Sequence, residues 1–185
     1  MQKDMRAAAK ADKLLRDEMT RQVDIVCGSA VLALWTYYGW RNKRIMRVMH
    51  RTEELWQTCA GQPMVSMLMM LEEETGIIMQ ARETSKSYHD LEYLNGKVEP
   101  HEMTIEQYMA MRTGQRYWVN PQLKAAVLLA LHRDFGWGGV KGQKLCDQIN
   151  EMAYEYGGKD WRQAKILKAC QEITGINIFE EVRRE

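Results

Sequence analysis

Residues 129–152 read LALHRDFGWGGVKGQKLCDQINEM, and the reading of this stretch decides the fold. Its centre holds HRD, DFG and a run of glycines, the vocabulary of a protein kinase. The mechanics of that family exclude the reading, because its catalytic Asp and its metal-binding Asp stand on separate loops, whereas Asp134 would have to fill both places. The stretch finds a second meaning in the chain itself. Shifted by 97 residues it falls on LALWTYYGWRNKRIMRVMH, residues 32–50, so that Tyr38 matches Phe135 and Gly39-Trp40 match Gly136-Trp137. The register runs on through Val48 and Leu145, Glu54 and Glu151, and Gly61 and Gly158. After a two-residue insertion, EETGI at 73–77 meets EITGI at 172–176.

Each copy predicts three helices. Val26, Ala30, Val31, Leu34 and Tyr38 recur at helical spacing, as do Leu123, Val127, Leu128, Leu131 and Phe135. Gly39 and Gly136 follow as terminating residues. Second helices carry Ile45, Val48, Met49 and Leu55 in one copy, and Leu145, Ile149, Met152 and Tyr156 in the other. Third helices start at Pro63 and behind an Asp160 cap, and they stop at Thr75-Gly76 and Thr174-Gly175. A further helix is expected from Thr104 to about Trp118, with Asn120-Pro121 as cap and first turn of the next. The expectation is an all-α fold of two tandem three-helix repeats: 1–79 with an N-terminal helix extension, a linker over 80–103 in which Asn95-Gly96 could close a small hairpin, and 104–185 with its preceding helix.

With 185 residues the chain can bury roughly two-thirds of its unfolded surface. Lys and Arg number 26 against 25 Asp and Glu, so no global field draws it to nucleic acid or anionic lipid, and any anion site must be local. Cys27, Cys59, Cys146 and Cys170 stand singly, a spacing that favours reduced thiols in the cytoplasm. The longest apolar runs fall far short of the roughly 20 residues that cross a bilayer.

The order of apolar helix, aromatic-Gly-aromatic-Gly corner, basic amphipathic helix and a last helix ending E-x-TGI resembles small helical proteins encoded by phages and prophages of Firmicutes. LALHRDFGWGGVKGQKLCDQINEM with DWRQAKILKACQEITGI carries the resemblance best, and the first copy departs from it with Arg41 at the place of Gly138. What the resemblance implies is a setting, the cytoplasm of an infected or lysogenic bacterial host.

No motif names a reaction. His50, His89, His101 and His132 are scattered, GGVKGQK lacks the GK[ST] ending of a phosphate-binding loop, and the adjacent acids Glu72 to Glu74 point apart on a helix. Neither a cofactor nor a metal is expected. An anion-binding site is better motivated. Gly138 and Gly139 open a helix to which a phosphate could come close, Lys141 and Lys144 follow one turn apart, and Arg44, Arg47 and Arg51 form a stripe on the matching helix. Trp40 and Trp137 beside these cations would offer stacking faces for a base. The plain alternative is that the glycines only turn the chain and the aromatics plug the joint. These features lead to the expectation of a phage-encoded, non-enzymatic binding protein that antagonises a host antiviral defence. It would do so by sequestering a nucleotide-like anion or by masking a defence protein, with homo-oligomerisation left open. The alternative is a nucleic-acid-binding accessory protein of phage replication or transcription.

Overall fold

The computed structural model describes residues 2–59, 66–79 and 105–178. Six helices make up the described residues: α1 (Gln2–Tyr38), α2 (Asn42–Thr58), α3 (Ser66–Thr75), α4 (Ile105–Phe135), α5 (Gly139–Gly157) and α6 (Gln163–Thr174). The expected linker and its hairpin at Asn95-Gly96 lie outside the described residues. So does the start of the third helix at Pro63.

α1 and α4 are the axis of the molecule. Ile25 to Cys27, Ala30 to Leu34 and Ala125 to Leu131 are buried on every side, the mark of helices enclosed by others. The two run side by side in the same direction, since their contacts rise together along both chains. Val26 shares a cluster with Val119 and Leu123, and farther on Tyr38 and Trp40 meet Trp137 and Phe135. α2 and α5 are one-sided instead. α2 buries Ile45, Val48, Met49, Thr52 and Leu55, and α5 buries Leu145, Cys146, Ile149, Met152 and Ala153. That is the i, i+3, i+4, i+7 spacing of a helix lying on a core.

The covering helices are exchanged. α1 packs mainly against α5 and α6, and α4 mainly against α2 and α3, while α1 barely touches α2 and α4 barely touches α5. Each central helix is therefore enclosed by helices from the other half of the sequence.

Two sequence expectations are corrected. Asn120-Pro121 does not restart the chain, because α4 continues unbroken through Pro121. Val119 and Leu123, on either side of the proline, are both buried with Val26, and this shared packing holds the segment in helical phase despite the lost N–H. Asp160 is not the cap of α6. That place belongs to Arg162, with φ −68° and ψ 105°, because the turn after Gly158 runs two residues longer than the spacing suggested.

Candidate functional site

The end of the bundle where α1 and α4 stop is built by two matching corners. Gly39 and Gly136 have φ of 64° and 65°, the left-handed conformation that costs glycine no Cβ clash. Their N–H groups bond back to the Trp35 and His132 carbonyls at 3.2 and 2.9 Å, and the N–H groups of Trp40 and Trp137 reach the Leu34 and Leu131 carbonyls at 3.2 and 3.3 Å. Both corners thus turn the indoles inward, where they meet. The Trp40 and Trp137 ring centroids lie 5.5 Å apart at 74°. Tyr38 leans on Trp137 and Phe135 on Trp40, each at 4.8 Å. The indoles are 8 % and 5 % exposed, so their faces belong to the core.

Cations close this joint from outside. Lys141 Nζ stands 4.0 Å from the Trp137 ring centroid and 5.5 Å from that of Tyr38. The Arg44 guanidinium lies 5.7 Å from Trp40, that of Arg47 5.3 Å from Phe135, and that of Arg41 4.3 Å from Trp35. Such contacts contribute about 0.5–1 kcal/mol each at exposed sites. α2 and α5 also begin here. Neither N-cap, Arg41 or Gly138, gives the first-turn N–H groups a side-chain acceptor, and neither first turn carries an acid. The positive dipole ends of α2 and α5 stand beside the negative ends of α1 and α4, so the positive charge at this end of the bundle comes from the side chains.

The structure brings together Trp40, Trp137, Arg44, Arg47, Gly138 and Lys141 of the expected site. It divides the remainder. Arg51 bonds Glu54 at 2.6 Å and lies 3.9 Å from Asp134. Lys144 lines an open cleft of about 640 Å³ between the turn at Gly76–Ile78 and the start of α5, where Val140 is 90 % exposed. Gly139 faces the Thr75 carbonyl across this junction, and a Cβ there would stand 2.9 Å from that oxygen.

Sequence reasoning missed Arg41, which also donates to the Trp40 carbonyl at 3.2 Å. The repeat register pointed at it as the residue matched to Gly138. It also missed the acids that fasten α4. Arg47 Nε donates to Asp134 Oδ2 at 2.8 Å, and Arg133 makes a two-pronged pair with Glu74, one arm at 3.0 Å. The Arg133 hydrogen bond holds the Glu74 carboxyl below its usual range. His132 Nδ1 sits 2.8 Å from the Trp137 carbonyl, to which that nitrogen donates.

Among the described residues, no three His, Cys, Asp or Glu side chains are placed to hold a metal, and no helix is long and apolar enough to cross a membrane. No protein-family model, curated protein or solved structure matches the chain.

Proposed function

We propose that the chain is a phage-encoded, non-enzymatic binding protein that masks a host defence protein, engaging an acidic surface of that partner with the basic end of the bundle. One observation carries the reading. Arg41, Arg44 and Lys141 spread over the aromatic joint at the spot where two helices begin without side-chain caps. The phage setting rests on the resemblance of the corner and E-x-TGI pattern, and the defence role on that setting together with the small size, the lack of a catalytic motif and the cationic site.

Masking is favoured over sequestering a nucleotide because a base needs an open aromatic face, and the Trp40 and Trp137 faces are filled by each other, Tyr38 and Phe135. A nucleic-acid groove along α2 is also less favoured. Asp134 and Glu54 already neutralise two members of its basic stripe, Arg47 and Arg51.

The test is plating of a defence-sensitive phage on a panel of defended bacterial hosts that express the chain. Wild type restores plaques on at least one host, and Arg44→Glu with Lys141→Glu removes the effect while the protein stays folded. No restoration on any host counts against the defence role, and full restoration by the double variant counts against the basic end. Thermal unfolding with linear and cyclic nucleotides shows no shift on this reading. A gain of about 2.7 kcal/mol at a hundred times the dissociation constant would return the nucleotide as ligand.

A further inference from the structure

The same contacts recur in the two halves. Tyr38 stacks on Trp137 at 4.8 Å and 49°, and Phe135 stacks on Trp40 at 4.8 Å and 50°. The TGI turns repeat each other as closely. Thr75 Oγ1 donates to the Leu71 carbonyl at 2.7 Å and accepts from Ile77 N–H at 3.2 Å, while Thr174 Oγ1 donates to Cys170 at 2.6 Å and accepts from Ile176 at 3.1 Å. A two-fold interface has this signature, in which residue i of one member touches j of the other and j touches i. The exchanged packing adds the energetic side. α1 is covered by α5 and α6, and α4 by α2 and α3, so neither half closes a core alone.

We infer that the molecule is a two-fold dimer written in one chain. Its half-to-half face is a binding surface in its own right, and the partner it fits is the complementary half of this chain or of a second copy. The chain crosses between the halves once, through residues 80–104, and this connection makes a bimolecular association intramolecular. The inference is independent of the proposed masking role.

The test cuts that connection in the folded protein. A protease recognition sequence is inserted after Lys86, the full-length variant is shown to keep the parental helicity and melting temperature, and it is then cleaved. A second insertion, after Asn95, serves if the first does not fold. The cleaved halves are expected to migrate as one particle and to melt together. Their midpoint should rise by roughly 3–6 °C for a tenfold increase in protein concentration, where the uncut chain shows no dependence. Tagged and untagged cleaved protein, unfolded and refolded together, should give mixed particles. Two separately folded halves, a midpoint independent of concentration after cleavage, or the absence of mixed particles would overturn the inference.

Discussion

Arg47 on α2 donates its Nε–H to Asp134 Oδ2, at 2.8 Å, on the last turn of α4. This one bond explains the residue that gave the sequence its kinase look, since Asp134 fastens a covering helix to a central one and receives Arg51 at 3.9 Å as well. The Arg47 side chain is 63 % exposed and that of Asp134 18 %, so a double-mutant cycle should return a coupling of about 0.2–1 kcal/mol, falling with salt. Asp134→Ala should cost more than Arg47→Ala, because it leaves two guanidinium groups facing each other. Equal losses from the two single variants would show that Arg51 takes no part.

Gly138 and Gly139 should answer oppositely to substitution. Gly138 has φ −85° and open space around its missing Cβ, so Gly138→Ser is tolerated. Its hydroxyl would supply the absent cap of α5 and stabilise the fold by about a few tenths of a kcal/mol. At Gly139 a methyl group meets the Thr75 carbonyl at 2.9 Å, a backbone atom with little room to yield. Gly139→Ala should cost about 1–3 kcal/mol. Urea unfolding measures both, and a Gly139→Ala protein as stable as wild type would show that the turn at residues 75–77 moves freely.

The Arg133–Glu74 pair sets a pH dependence. Because the folded carboxyl titrates below its usual range, the pair contributes stability above the ordinary glutamate pKa and loses it as pH falls through the lowered folded value. Glu74→Gln should therefore melt below wild type at neutral pH, with the difference closing in acid. A gap that stays constant from pH 7 down to pH 3 would assign the loss to packing.

Native thiols should divide into two groups. Burial pushes Cys27 up to about 12, and Cys146 and Cys170 to about 11, so all three stay protonated and shielded near neutral pH. Cys59, half-buried at the end of α2, should react first with a thiol reagent. Mass spectrometry after brief labelling should find a single modified peptide, and fast labelling at Cys27 would reveal opening of α1.

The all-helical fold was legible because its signals are local. Apolar spacing located each amphipathic face, and Gly39, Gly136, Gly76 and Gly175 marked helix ends through the left-handed conformation each adopts. Which helix covers which was not legible, since Ile45 or Leu145 asks only for an apolar surface and either half offers one. Pro121 misled for a related reason. A proline states its local preference plainly, whereas the burial of Val119 and Leu123 that overrides it depends on distant Val26. The basic residues were found from their spacing. That their aromatic neighbours would face each other instead of a ligand depends on two corners 97 residues apart meeting in space.

The exchanged packing also sets the order of events during synthesis. The apolar surface of α1 is complete once Tyr38 has been made, yet the helices that cover it end only at Thr174. At roughly 5–20 residues per second, the ribosome takes roughly seven to thirty seconds to supply that cover. For this interval the nascent first half carries an apolar helix whose covering helices have not yet been made. Slowing translation after α3 should therefore promote aggregation of this protein instead of aiding its folding.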